Sequence, residues 1–124
     1  MNIHESAEDY LEAILMLQEE KGYVRSVDIA ARLDVTKPSV SFAMKRLREN
    51  GYIIMDREQG ILLTDKGLEI AQRMMERHEM LSRILINLGV PEEIAVEDAC
   101  RMEHDMSQET FDALCRLKAA RQEP

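Results

Sequence analysis

Cys100, Glu103 and His104 fall at i, i+3 and i+4, a spacing that sets all three on one face of a helix. Asp9 and Glu12 repeat the i, i+3 spacing near the start, and His78 lies midway along a long stretch of helical period. Carboxylates, imidazoles and a thiol brought together suit a first-row transition metal, whereas Ca²⁺ loops are built from oxygen ligands. Each residue alone has a plainer reading. Asp9 and Glu12 suit the first turn of a helix, where the dipole favours acids. A lone histidine is more often a surface or half-buried group than a ligand, and a lone cysteine is more often a small buried apolar side chain. On spacing alone, the Cys100-Glu103-His104 trio brings a metal site level with these readings.

Positioning such groups takes helices, and the chain supplies them. Ser6-Ala7-Glu8-Asp9 reads as a cap at Ser6 followed by a first turn, with Tyr10, Leu11, Ile14, Leu15 and Leu17 at helical spacing behind it. A second helix is expected from Ser26, its apolar face made of Val27, Ile29, Ala30 and Leu33. After a break at Asp34-Val35, Thr36 caps a third helix that has Pro38 in its first turn and buries Val40, Met44 and Leu47 before Gly51 stops it. The period then changes. Residues 52–57 and 60–64 are β-prone runs around a Glu58-Gln59-Gly60 turn, a hairpin signal. Thr64 or Asp65 caps a long helix to Leu88. Pro91 opens another that carries Cys100, and Ser107 caps the last.

The fold class is therefore mostly α: an N-terminal winged helix-turn-helix with a two-stranded β-wing, plus an all-helical dimerisation domain. The expected division is residues 1–64 for the winged helix, 65–88 for a linking helix and 89–124 for the helical metal-binding and dimerisation part.

A net charge of −8 over 124 residues, taken as a whole, argues against nucleic acid, but it is unevenly spread. Residues 1–20 carry −6, residues 21–66 carry +3 from nine basic and six acidic groups, and residues 67–124 carry −5. The basic middle coincides with the helix-turn-helix and hairpin. Lys37, Ser39 and Ser41 open the third helix with basic or short side chains able to approach phosphates and base edges, and Lys45, Arg46 and Arg48 follow to track the backbone. Arg57 sits at the hairpin tip, where a wing touches the minor groove or a phosphate. A small helical domain with an ordinary solvated basic surface is the plainer alternative; it leaves the agreement of helix order, hairpin and charge unexplained. Met1-Asn2-Ile3-His4-Glu5 starts no secretory signal, and no apolar run approaches membrane length. With only Cys100 and Cys115 there is no disulfide framework, so a cytoplasmic protein with reduced thiols and no membrane partner is expected.

These blocks in this order resemble the family of the diphtheria toxin repressor and the manganese transport regulator, metal-dependent bacterial repressors. The resemblance is carried by Ser6 to Ile14, by Val27-Asp28-Ile29-Ala30 through Gly51-Tyr52-Ile53, and by Leu63 to Gly67. It continues through Arg77-His78-Glu79 and Glu97 to His104. It implies a homodimer that binds a double-stranded operator when loaded with Fe²⁺ or Mn²⁺, with Co²⁺ or Zn²⁺ able to substitute in vitro. It also implies a short, manganese-type chain without the C-terminal β-barrel of iron-type members. By position, Asp9, Glu12 and His78 match manganese-type ligands, and Glu103 and His104 match ligands of both branches. Cys100 stands where the manganese-type pattern has Glu and the iron-type pattern has Cys, so the implied site is a hybrid. Val96 and Ser82 stand where an iron-type ancillary site has its His and Glu, and that second site is not expected. Whether one ion or two bind is left open.

The expected activity is metal-dependent transcriptional regulation of metal-homeostasis genes, repression foremost. Ligands spread over the first helix, the long helix and the Cys100 helix would let an ion fix the spacing of two recognition helices to half-sites roughly 34–36 Å apart. Apolar positions Leu81, Ile84, Leu85, Leu88, Ile94, Phe111, Leu114 and Leu117 exceed what so small a segment buries alone, which points to a symmetric dimer. One rival is a winged-helix regulator answering to an organic ligand or a partner protein. The other is an enzyme, because Cys100-x-x-Glu103-His104 resembles the inverted zinc-peptidase pattern H-x-x-E-H. No cleft signal accompanies it, and no enzyme is expected.

Overall fold

The computed structural model describes residues 3–122, with side chains from 7 to 117. Six helices and one hairpin follow in the order α1 (Ile3–Lys21), α2 (Ser26–Leu33), α3 (Lys37–Glu49), β1 (Ile53–Asp56), β2 (Gly60–Leu63), α4 (Asp65–Asn87), α5 (Glu92–Asp105) and α6 (Gln108–Gln122). They form two compact units, Met1–Arg73 and Met74–Pro124, whose boundary falls inside α4.

In the first unit α1 begins at Ile3, ahead of the expected cap at Ser6, whose side chain lies outside the described residues. The shift matters for Asp9 and Glu12. They sit beyond the first turn, where the dipole no longer gives an acid much advantage. Leu11, Ile14, Leu15 and Leu17 of α1 are buried with Ile29 of α2, Val40, Met44 and Leu47 of α3, Ile53 of β1 and Ile61 of β2. Val27 is not part of this core, being 44% exposed. It lies two residues from Ile29, and two helical steps point it to nearly the opposite side.

The turn between α2 and α3 passes through Asp34, which takes the left-handed region at φ 54°; a short polar side chain tolerates that conformation. Thr36 then caps α3, its Oγ1 accepting from Ser39 N at 3.2 Å, with Pro38 in the first turn. The wing is a two-stranded antiparallel sheet in register Ile53↔Leu63 to Asp56↔Gly60. Asp56 shapes its tip by accepting from the backbone N–H groups of Glu58 (2.7 Å) and Gln59 (2.9 Å). Gly60 is required twice over: its φ is +80°, and a Cβ there would run into the Val24 carbonyl oxygen. That closeness lets Ile61 N donate to Val24 O at 2.9 Å, pinning the wing to the α1–α2 connection. Thr64 rather than Asp65 caps α4, accepting from Gly67 N at 3.2 Å while donating to Gly51 O at 2.7 Å.

In the second unit, Pro91 stands at the N-cap of α5 and Ser107 caps α6 by accepting from Thr110 N at 3.1 Å. Ala95, Ala99 and Glu103 form the buried i, i+4, i+8 stripe of α5. Two alanines let helices approach closely, and the next position on the same stripe is a carboxylate. Of the apolar positions singled out above, Leu81 and Phe111 are buried. Ile84, Leu85 and Leu114 are half-buried, whereas Leu88, Ile94 and Leu117 remain more than half exposed.

Candidate metal centre and DNA-facing surface

Glu103 is fully buried, and neither of its carboxylate oxygens has a hydrogen-bond partner. Such a group is costly: a desolvated carboxylate needs donors or a cation. Its neighbours are two imidazoles, His78 with Nδ1 3.3 Å from Oε2 and His104 with Nε2 3.5 Å from Oε1. Cys100 joins from one turn earlier on α5, and the ligand atoms of His78, Cys100 and Glu103 all lie within 4.8 Å of one another. Nδ1 of His78 is also buried without a hydrogen bond. Two donors sharing a cation at about 2.1 Å each would stand roughly 3.0–3.4 Å apart, the spacing of His78 and Glu103. The unpaired atoms, the spacing and the N/O/S donor set thus fit a transition-metal ion.

The charge distribution points the same way. Cys100, and then Glu103, hold the proton on His78 up to about 10 from an ordinary 6.5, against the opposing effect of burial. The contacts of the imidazole with these two side chains act first and their charge second.

The plainer reading of Cys100 as a buried apolar filler is set aside, because the residue is exposed. The i, i+3 and i+4 spacing did bring Glu103 and His104 inward, His104 keeping a side chain only 3% exposed. Asp9 is half-buried and Glu12 buried, both on α1 in the first unit.

Arg77 was not singled out as a site residue in the sequence. It is buried, with Nη1 donating to the carbonyls of Glu103 (2.9 Å) and Met106 (2.8 Å) and Nη2 to Gln108 Oε1 (3.0 Å). Its guanidinium also lies 5.5 Å from the centre of the Phe111 ring. It satisfies carbonyls that the end of α5 would leave unpaired, and so fixes the backbone of Glu103 from α4. The signal for it was adjacency: a residue next to a ligand on a helix faces about 100° away, toward a different neighbour.

On the first unit, Lys37, Ser39, Ser41, Lys45, Arg46 and Arg48 are all exposed along α3, and Arg57 is exposed at the wing tip. Ser39 has a second task, since Thr36 Oγ1 donates to its hydroxyl at 2.8 Å. Arg48 reaches toward the wing, its Nη1 3.8 Å from Met55 Sδ. Phe42, missed in the sequence, is 63% exposed on the same helix, with the Arg46 guanidinium 5.6 Å from the centre of its ring.

A winged helix-turn-helix followed by a helical unit holding a metal-type donor cluster defines the class, and known proteins agree. Residues 2–61 match the family described as iron dependent repressor, N-terminal DNA binding domain, and residues 64–122 match its metal binding and dimerisation domain. The transcriptional regulator MntR of Salmonella typhimurium is 47% identical over 109 residues, 88% of this chain and 69% of that protein. The HTH-type transcriptional regulator MntR of Bacillus subtilis strain 168 is 41% identical over 88% of this chain and 77% of its own length. Among solved structures, the metal-dependent transcriptional regulator MtsR superposes with a TM-score of 0.85 at 28% identity. That match covers 91% of this chain and 53% of MtsR, so the chain spans about half the length of that structure. The chain belongs to the iron-dependent repressor family. Its relatives are named as transcriptional regulators, which favours neither the enzyme nor the organic-ligand reading.

Proposed function

We propose that this chain is a metal-activated DNA-binding transcriptional regulator, a repressor of metal-homeostasis genes, working as a homodimer in the cytoplasm. The observation that carries the proposal is the buried Glu103 carboxylate, left without a hydrogen bond between His78 and His104 and close to Cys100. His78, Cys100, Glu103 and His104 are the proposed ligands in the second unit, with Asp9 and Glu12 of α1 completing the set. The ion supplies positive charge that offsets the clustered acids, and only a difference in its affinity for DNA-competent and incompetent states shifts the population.

Mn²⁺ and Fe²⁺ are the proposed activators. Carboxylates favour Mn²⁺, whereas the Cys100 sulfur moves preference toward Fe²⁺, Co²⁺ or Zn²⁺. The exposed Leu88, Ile94 and Leu117 support the dimer, because an isolated chain leaves these apolar groups in water. Lys37, Ser39, Ser41, Lys45, Arg46, Arg48 and Arg57 are the proposed operator contacts. Among the described residues no helix is long and apolar enough to cross a membrane. The deciding experiment titrates the reduced protein onto operator DNA with each of Mn²⁺, Fe²⁺, Co²⁺ and Zn²⁺. Metal-stimulated binding is expected; DNA binding indifferent to all four overturns the proposal.

A further inference from the structure

We infer that Phe42 reads the 5-methyl group of a thymine in each operator half-site, giving this regulator an apolar element of sequence specificity at the centre of α3. The inference rests on the DNA-binding reading above and adds to it a named base chemistry.

The position of Phe42 is the first observation. Val40, Met44 and Leu47 define the buried side of α3, and at 100° per residue Phe42 points almost directly away from them. It is the one apolar residue of α3 more than half exposed, at 63%. No other large apolar side chain of that helix is among the exposed ones, so the ring is not an overflow of the core.

Its surroundings are the second. Ser39 and Ser41 are exposed and short, and Ala43 is small, so little beside the ring on α3 itself shields it; on its other side the ring borders a cavity of about 580 Å³ shared with Tyr10 and Ile70. Lys45 and Arg46, three and four positions further on, share its side of the helix and set positive charge beside it. The Arg46 guanidinium stacks beside the ring at 5.6 Å from its centre, which steadies it while leaving a cation at the helix surface. Charge complementarity selects a polyanion as the occupant of this face. The helix-turn-helix order, with α3 second, places it in the major groove of duplex DNA. There the thymine methyl is the only apolar group on a base edge, and a phenylalanine is among the side chains that contact it.

The test is a uracil scan, since deoxyuridine is thymidine without that methyl. A duplex is first selected from a random library by the wild-type chain loaded with Mn²⁺. Each thymine of one half-site is then replaced by deoxyuridine, and affinity is read by fluorescence anisotropy at fixed salt. Wild type should lose about four-fold at one thymine, the worth of one buried methyl group. Phe42→Ala should bind the parent duplex more weakly and show no loss at that same position, whereas Phe42→Leu should retain part of it. Circular dichroism of both variants should match wild type, because the residue is exposed. A wild-type chain that selects a duplex but responds to no uracil substitution overturns the inference, as does a Phe42→Ala chain that discriminates as wild type does. A chain that selects no duplex at all overturns the proposed function itself.

Discussion

Nδ1 of His78 and Oε2 of Glu103 stand 3.3 Å apart, both buried, and neither has a hydrogen bond. Two polar atoms at that distance in a packed interior are a costly arrangement unless a charge is shared between them. α4 supplies the first and α5 the second, so whatever occupies this pair also ties the two helices.

Glu103 should matter far more to the metal-loaded protein than to the free one. Glu103→Gln keeps the shape and removes the charge, so the metal-free chain should still fold, the relieved burial of a carboxylate working against the loss of the partner to His78. The rise in Tm on adding Mn²⁺ or Fe²⁺ should disappear. Calorimetric melts with and without metal check this, and an undiminished metal-induced rise takes Glu103 out of the site.

Cys100→Glu should move selectivity toward Mn²⁺, since it exchanges a soft donor for a hard one. Competition of Mn²⁺ against Zn²⁺ and Co²⁺, followed by equilibrium dialysis of the reduced protein, should show the ranking shift by about ten-fold or more. An unchanged ranking means that the thiol does not select the metal. Oxidation of wild type should weaken binding, and Cys100→Glu should be indifferent to it.

Acid should weaken metal binding. The proton that Cys100 and Glu103 keep on His78 up to about pH 10 must leave before Nδ1 can bind an ion. Between pH 6 and 8 the apparent affinity should therefore rise by about ten-fold or more per pH unit. The sign for folding is opposite. A raised folded pKa stabilises the metal-free chain fully below about pH 6.5, and that contribution fades as pH climbs toward 10. Isothermal titrations over this range test the first statement. A pH-independent affinity contradicts ligation by His78.

Arg77 should prove a structural clamp on the α5–α6 corner. Arg77→Leu removes a buried cation and three hydrogen bonds, leaving carbonyls unpaired, and should cost about 2–5 kcal/mol in urea unfolding. Arg77→Lys should recover only part of this, because one ammonium cannot reproduce a planar fork. A lysine variant with the wild-type midpoint would mean that the charge suffices without the geometry.

Lys45 and Arg57 should contribute to DNA binding as charges. Each change to Ala should weaken binding to all sequences alike and lower the slope of log K against log salt by about two for the dimer, one per subunit. Salt titrations on selected and random duplexes distinguish this from base reading, in which affinity for the selected duplex alone would fall.

The element order, the Thr36 and Ser107 caps, the hairpin with Arg57 at its tip, and the shared face of Glu103 and His104 were all legible in the sequence. The reason is that caps, turns and helical periodicity are local, set by residues within a few positions of each other. The start of α1 at Ile3 was not legible, because a cap at Ser6 is only a preference that the rest of the helix can override. Nor could spacing decide between metal site and ordinary acids. That turned on whether the Glu103 carboxylate would be buried without a donor, which depends on α4 bringing His78 to it from twenty-five residues away. Arg77 and Phe42 are the same lesson in opposite directions. A charged residue went into the interior because helix-end carbonyls awaited it there, and an aromatic one stayed outside because its step along α3 falls opposite the core. The sequence by itself determined which elements form and which residues share a face; only tertiary packing decided which of those faces would be closed off from water.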